Sequence, residues 1–478
     1  MDRDGALERL GSEKFDILVI GGGATGLGCA LDAASRGYAT ALIEAHDFAK
    51  GTSSRSTKLV HGGVRYLRQG NIPLVREALR ERARLRANAP DYVKPLAFFI
   101  PAPSFAKRVF YGAGLKAYDA LAGKTGFPKS RAVDGGIEYW DAQFDDARLA
   151  IAIARTASAF GAAVCNYVRA SQFTYTNGRI SGVEATDVES GNGFHIQARA
   201  VINATGIFAD TLRTLDDPRA TPMIAFSRGS HLAVDKQLLR DPQRALVVPK
   251  TADGRVIFAI PWHDCALIGT TDIAAPAAEL EPHPTEDEIA FLLRTASPYL
   301  TAPLHRSDIR SAFAGLRPLV NRRAVSTERM SREHALEISN SGLVTIAGGK
   351  WTTYRQMAED AVDAAARSAS LAAARCRTVG LPLVGDDAPV SLDARIEHAA
   401  RHEMARCVED VVARRIGLLF RNALAAKAAA PNVARVLAAQ LRRDEAWATA
   451  QVQAFAALAE RYVPGGLGEA VLGAKSAS

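Results

Sequence analysis

The stretch from Phe15 to Glu44 limits what this chain can fold into more than any other. Phe15 to Ile20 is a short, apolar, β-branched run, the pattern of a strand buried on both faces. Gly21-x-Gly23-x-x-Gly26 follows at once. Leu27 to Ser35 is rich in Ala and Leu and predicts a helix, closed by Gly37. Thr40 to Ile43 predicts a second strand that ends in Glu44. Gly21 permits the tight turn, Gly23 lets backbone approach a pyrophosphate, and Gly26 lets helix and strand pack closely. The helix N-terminus offers free N–H groups to the phosphates. Glu44, about 20 residues on, can accept both hydroxyls of an adenosine ribose and disfavours a 2′-phosphate. A glycine triplet alone suits any βα turn; the complete unit predicts a bound dinucleotide.

At 478 residues the chain is long enough for two or three domains and a large core. Its formal charge of +8 favours anionic partners: a phosphorylated substrate or an acidic membrane surface. Nucleic acid is disfavoured, because no aromatic-interleaved basic patch or nucleic-acid motif accompanies the charge. The five cysteines are scattered and never form a CxxC, which suits reduced thiols of a cytoplasmic protein. The charged N-terminus lacks the apolar core of a signal peptide. No run of about 18 apolar residues predicts a membrane span.

Residues 1–14 read as a polar lead-in. The hydroxyl-rich, glycine-punctuated segment Gly51 to Leu67 is too polar for a core element and is expected to face cofactor and substrate. Leu74 to Ala89 reads as a basic helix (Arg76, Arg80, Arg82, Arg84, Arg86) with a solvated face. Phe105 to Tyr118 mixes aromatics with Lys107, Arg108 and Lys116; it suits either a membrane interface or an amphipathic helix packed on its own domain. Asp145 opens an Ala-rich helix, Asn177-Gly178 marks a hairpin, and Ala200 to Gly206 is a strand ending in Ala204-Thr205-Gly206, small enough for a second cofactor contact. The texture turns β-rich from Asp217 to Ser341, with Leu246–Val248, Val256–Ile260 and Ala266–Ile268 as strands of one antiparallel sheet. A strand–glycine–helix pattern returns at 342–373, so the dinucleotide domain is expected to be discontinuous. Residues 380–389 read as a linker, and 391–467 as a separate helical domain.

Oxidising a hydroxyl requires a group to take its proton. His231 is the first candidate and His61 its rival. Arg317 sits among apolar neighbours, and its fork suits a phosphate; Arg332 and Lys350 can complete a cationic pocket. Structural ion pairs are the competing reading for all three. His398 and His402 share a helical face but have no evident third ligand, so no metal is expected.

These motifs together resemble the aerobic FAD-dependent glycerol-3-phosphate dehydrogenases, from about Phe15 to Tyr354. The most specific pieces are Gly51 to Leu67, Asp145 to Leu149, Gly269 to Asp272, Gly315 to Pro318 and Gly348 to Tyr354. Glu409 to Arg415 is similar to the family's C-terminal signature. The resemblance implies an α/β fold: a discontinuous Rossmann-like FAD-binding domain (15–75, 145–216, 342–375), an inserted β-rich substrate and membrane-facing domain (76–144, 217–341) and a C-terminal helical domain (390–478). It implies FAD held by Gly21, Gly23, Gly26, Glu44, Thr52, Ser53, Ser54, Ala204, Thr205, Gly206 and Gly349. It implies catalysis by His231, Arg317 and Lys350, with Arg65, Tyr66, Arg317, Arg332 and Lys350 around the substrate. The implied reaction is oxidation of sn-glycerol 3-phosphate to dihydroxyacetone phosphate, with electrons passed to membrane quinone. The implied location is peripheral, on the cytoplasmic face of the inner membrane, and a homodimer is compatible with it. Two departures are Ile207-Phe208, where relatives have Pro-Trp, and the basic loop at 321–330. The rival readings are a flavin amine or 2-hydroxy-acid oxidase and a non-catalytic dinucleotide sensor.

Overall fold

The computed structural model describes residues 1–64, 67, 70–123, 127–248, 251, 256–320 and 334–464. Arg65, Tyr66 and Arg332 lie outside them. The chain begins with a helix, α1 (Arg3–Ser12), then β1 (Lys14–Ile20), α2 (Ala24–Ser35) and β2 (Thr40–Glu44). It then crosses to a second sheet: β3 (Leu59–Val60), α3 (Ile72–Asn88), β4 (Val93–Pro101), α4 (Phe105–Ala122), β5 (Arg131–Val133) and β6 (Gly136–Phe144). Helix α5 (Asp146–Ala159) returns it to the first sheet for β7 (Ala163–Asn166), β8 (Val168–Thr176), β9 (Arg179–Asp187) and β10 (Gly193–Asn203). After α6 (Ala209–Asp216) the second sheet is completed by β11 (Ile224–Asp235), β12 (Arg244–Val248), β13 (Ile257–Trp262), β14 (Cys265–Gly269), β15 (Ile273–Ala275), α7 (Glu286–Ala296) and β16 (Ser311–Val320). The first sheet closes with β17 (His334–Ile338), β18 (Val344–Gly348) and α8 (Tyr354–Ser368). Helices α9 (Leu392–His402), α10 (Ala423–Leu441) and α11 (Glu445–Glu460) follow.

Parallel strands β7-β2-β1-β10-β18 form the centre of the first sheet. Apolar side chains cover both faces, as a parallel sheet flanked by helices requires. The second sheet runs β15-β11-β14-β13-β12-β4-β6-β3, with β16 on β11 and β5 on β6. The hairpin at Asn177-Gly178 has both residues at positive φ, +52° and +74°, matching the twist of its strands. The expected strands near 246, 258 and 267 are neighbours in one antiparallel set.

The structure corrects several sequence expectations. The polar lead-in is helical, and Arg3 is buried against Asp187. Strand β3 pairs with β6, so Leu59–Val60 belongs to the second sheet, although it falls within 15–75. Strand β17 pairs with β18, so residues 334–338 belong to the first sheet, although they fall within 217–341. The basic helix α3 does not have a wholly solvated charged face. Arg82 is buried and donates to Asp141 at 2.7 Å, while buried Glu81 accepts from Arg355 at 2.7 Å.

The C-terminal helices form the expected helical domain, which packs against the second sheet. Val412, Phe420, Val433 and Phe455 share one core with Ala233, Trp262, Leu267 and Phe313 of the second sheet. Their tie to the first sheet is ionic. A π-helical turn at Asp410–Arg415 sends two consecutive arginines to one fully buried carboxylate: Arg414 and Arg415 both donate to Asp47. Arg414 also reaches Asp410 at 2.8 Å, and Lys50 reaches Glu409 at 2.7 Å. The two cations hold Asp47 down to about 2, against burial, which opposes its charge. Asp47→Ala leaves two buried guanidinium groups without their shared partner. The expected loss is about 3–5 kcal/mol of unfolding free energy, read by denaturant titration; a loss under about 1 kcal/mol would refute this account.

Candidate active site

The loop from Gly51 to Lys58 leaves the first sheet and is held between the two. Its central turn, Thr52–Ser54, is short and 3₁₀-like. Lys58 is fully buried and donates from Nζ to Asp146 Oδ1 at 2.6 Å and to the Ser54 carbonyl at 2.7 Å. Asp146 also accepts from Ser56 N and Oγ through its second oxygen. Ser53 Oγ accepts from Ala24 N at the start of α2, and Thr52 Oγ1 donates to the Leu316 carbonyl at 2.6 Å. One loop is thereby docked on both sheets.

The glycine turn has the shape the sequence predicts. Gly21 has φ +112°, and a Cβ there would lie 2.6 Å from the Ala204 carbonyl; a Cβ on Gly26 would overlap the Gly21 carbonyl. Glu44 is buried at the end of β2, where burial raises its pKa and bonds from Gly22 N (2.6 Å) and His46 N (2.9 Å) oppose the rise. Those two bonds leave carboxylate lone pairs for ribose hydroxyls. Ser54 Oγ is buried and has no hydrogen-bond partner among the described residues. A small gap between α2 and the loop, with Gly23 only 3.1 Å (at its Cβ position) from Ser53 Oγ, completes a cradle that fits a dinucleotide. Thr205 turns its hydroxyl back to Asn203 at 2.7 Å, and Gly206, at φ +59°, opens the next turn. Thr52 is used by Leu316, so its part in the cradle is to hold the loop. Gly349 packs its Cα side against Met357.

On the second sheet His231 of β11 lies opposite Phe313 of β16, Gly229 opposite Gly315, and Ser227 opposite Arg317. His231 and Arg317 therefore share one face across a pair of glycines. His231 is 1% exposed, stacked on Phe313 with ring centroids 5.0 Å apart, and its Nε2 is 2.9 Å from Thr57 Oγ1. Burial first, then the charges of Arg317 and Lys58, hold its pKa well below 6.5, so the ring is neutral at neutral pH. Arg317 donates to Thr270 Oγ1 at 2.8 Å and to the Thr271 carbonyl at 3.2 Å, with Asp272 at 3.7 Å. Glycine at 229 is a steric requirement: a Cβ there would lie 2.2 Å from Arg317 Nη2.

Arg317, Thr57, His61, Thr270 and Asp272 line the polar end of a cavity of about 660 Å³. Thr57 lines the cavity, and its hydroxyl meets the His231 imidazole. Lys350 lies on the first sheet's side, in the turn after β18, next to Trp351, whose indole donates to the Ser53 carbonyl at 2.8 Å. The structure thus brings Arg317, Thr57 and His231 together, and sets Lys350 beside the cofactor cradle. Sequence reasoning did not single out Thr57 or Gly229, although both lie in segments it marked.

A glycine-turn cradle on one sheet beside a cavity that holds Arg317 on the other fits an FAD-dependent oxidoreductase. The chain belongs to that class: the family model described as FAD dependent oxidoreductase matches residues 16–355, and that of the C-terminal domain of alpha-glycerophosphate oxidase matches 370–448. Within the class it belongs to the FAD-dependent glycerol-3-phosphate dehydrogenase family. It is 43% identical over 407 residues to the mitochondrial glycerol-3-phosphate dehydrogenase of Rattus norvegicus, covering 78% of this chain and 56% of that one. It is 36% identical to the probable mitochondrial enzyme of Caenorhabditis elegans, covering 96% and 74%. The structure of glycerol-3-phosphate dehydrogenase from Bacillus halodurans, complexed with FAD, superposes with a TM-score of 0.78 at 30% identity, covering 96% and 97%. The chain spans about half the length of the mammalian relatives it matches.

Gly23→Val would close the gap at Ser53. We expect this variant to fold, by circular dichroism, but to purify without the flavin absorbance band. A fully yellow variant would show that the cradle is misplaced.

Proposed function

We propose that this chain oxidises sn-glycerol 3-phosphate to dihydroxyacetone phosphate with FAD, electrons passing on to membrane quinone. The observation that supports this reading above others is the polar end of the cavity, where a guanidinium fork and a hydroxyl-linked neutral imidazole stand on one sheet face. FAD, held by the Gly21–Gly26 turn, Glu44 and the Ser53–Ser54 loop, supplies the two-electron acceptor. Arg317 takes the phosphate, for which its fork is suited, while Thr270 and Asp272 fix its plane. Lys350, Arg65, Tyr66 and Arg332 are assigned to the substrate by resemblance. The C2 hydroxyl gives its proton to Thr57 Oγ1 as Thr57 gives its own to His231 Nε2. Burial, with the positive charges of Arg317 and Lys58, keeps His231 neutral and opposes its protonation. A dianionic phosphate beside Arg317 offsets one of them, so the imidazole gains basicity when substrate arrives.

Two further observations support a peripheral membrane location. Helix α4 presents Phe105 (82% exposed), Phe110 (62%) and Val109 (55%) beside exposed Lys107, Arg108 and Lys116. Among the described residues no helix is long and apolar enough to cross a membrane. The amine and 2-hydroxy-acid oxidase readings have no observation that favours them over a phosphate.

Thr57→Val is expected to lower kcat by about 10²-fold while flavin content is kept, and Thr57→Ser to restore most of it. Loss of activity follows protonation of His231, so the acid limb of the kcat/KM profile should fall below 6.5, the usual imidazole value. A limb at or above that value, or a fully active Thr57→Val, would remove the relay. Replacing Phe105 and Phe110 by Ser should release the protein from anionic phospholipid vesicles in a flotation assay; retention would exclude α4 as the contact.

A further inference from the structure

Strand β11 divides its side chains between two faces. Ser227, Gly229 and His231 lie on the face that Arg317 shares. Arg228, Ser230 and Leu232 alternate with them and meet helix α7. Leu232 packs with Ile289 and Leu292, while Arg228 Nε and Ser230 Oγ both donate to Glu288. The register pairs His231 with Gly269 of β14 and resumes at Arg228 with Ile273 of β15. Thr270, Thr271 and Asp272 therefore span the interval that Gly229 and Ser230 span on β11, three residues against two. An extra residue of this kind interrupts the ladder and re-aims side chains. The same turn holds the Arg317 guanidinium, through Thr270 Oγ1 at 2.8 Å and the Thr271 carbonyl at 3.2 Å.

Side-chain bonds that end at Glu288 stand in for the interrupted ladder. Ser230 N donates to Thr271 Oγ1 at 2.9 Å, and Thr271 Oγ1 donates to Glu288 Oε1 at 2.6 Å. Ser230 Oγ donates to the same oxygen at 3.0 Å. Glu288 Oε2 has a different task. It accepts from Thr285 N at 3.0 Å and Thr285 Oγ1 at 3.2 Å, which closes the capping box of α7, and from Arg228 Nε at 2.9 Å. A cap alone requires one oxygen; the other is given to the turn that holds Arg317. Thr271, Ser230 and Glu288 are all buried. Burial opposes the charge of Glu288, but its contacts with Thr271, Thr285 N and Arg228 outweigh it and hold its pKa below the usual glutamate value. It is a carboxylate at neutral pH, able to accept from every one of these donors.

We propose that Glu288 is a positioning residue for the substrate's phosphate: through Thr271 it fixes the turn at Thr270–Asp272, and that turn sets the direction of the Arg317 fork. This rests on the reading that Arg317 takes the phosphate, and adds what aims it. Recognition by two parallel hydrogen bonds depends on the plane of the guanidinium as well as on its charge. An arginine whose acceptors have shifted keeps its attraction for an anion but loses part of that geometry. The phosphate is held alike before and during oxidation at C2, so the loss falls on KM and not on kcat.

The test uses the full-length, FAD-loaded protein, with glycerol 3-phosphate as substrate and a water-soluble dye as acceptor. Glu288→Gln can keep the cap by turning its amide oxygen toward Thr285 and Arg228, which leaves an NH2 group facing the two hydroxyls. Thr271→Val removes the link itself, and Thr271→Ser retains it. We expect KM for glycerol 3-phosphate to rise at least about fivefold in Glu288→Gln and about tenfold in Thr271→Val. In both, kcat stays within about threefold and flavin content is kept; Thr271→Ser restores KM to within about twofold of the unmodified protein. Added to Arg317→Lys, which raises KM by itself, Glu288→Gln should have less than about a twofold further effect, because the fork it aims is gone. An unchanged KM in both Glu288→Gln and Thr271→Val overturns the assignment. So does an undiminished effect in the Arg317→Lys background, which would route Glu288 through other residues. So does a loss of flavin with KM unchanged, which would leave Glu288 a role in folding alone. If Arg317→Lys raises KM and Glu288→Gln does not, only the positioning role falls; if Arg317→Lys leaves KM unaltered, the phosphate reading falls and the positioning role with it.

Discussion

The buried pair between Lys58 and Asp146 holds the rest of the site in place. Neither side chain reaches solvent, so each charge depends on the other and on the hydrogen bonds around it. Lys58 is further enclosed by the faces of Trp262 and Phe420, 4.8 and 5.0 Å from its ammonium. Because Nζ also bonds the Ser54 carbonyl, the pair fixes backbone as well as side chains. Every functional contact of the loop follows from that: Ser53 on the start of α2, Ser54 turned inward, Thr57 against His231. The glycine turn and Glu44 belong to one sheet, and His231 and Arg317 to the other. The loop sets the distance between them.

Much of this was legible in the sequence where the causes are local. The Phe15–Glu44 unit is written in consecutive residues, since turn, helix and strand each depend on neighbours, and the structure reproduces it element by element. Arg317 was legible as something other than a surface charge because its neighbours are apolar. What could not be read depends on partners distant in the chain. Arg82 looks like any arginine of a basic helix until Asp141 is placed beside it. Strand β17 reads as more of the β-rich insertion, but its hydrogen bonds go to β18. Thr57 is one hydroxyl among several in its segment; only the arrival of β11 singles it out. Gly229 carries no turn signal, because its role is to leave room for a guanidinium from the next strand.

The C-terminal helices show the same limit on a larger scale. Their Ala-rich sequence predicts helices that pack, without saying against what. Phe420 and Tyr462 extend the aromatic contacts that begin at His231 and Phe313, with successive centroids 5.0, 5.0 and 6.0 Å apart. Tyr462 also accepts from Arg55 at 2.7 Å, so the last described turn reaches the loop itself. The region is part of the wall behind the imidazole, and its packing affects the polarity His231 experiences.

The path of the chain between the sheets has a consequence for biosynthesis. Strand β10 needs β18 to complete its parallel pairing, Ile202 with Val344, and β18 is made after the whole of the second sheet. Pairings this distant in sequence form late and slowly. A ribosome must therefore release most of the polypeptide before the cradle has all its walls. Until then an apolar, unpaired strand edge is exposed, the condition under which nascent chains associate wrongly or recruit chaperones.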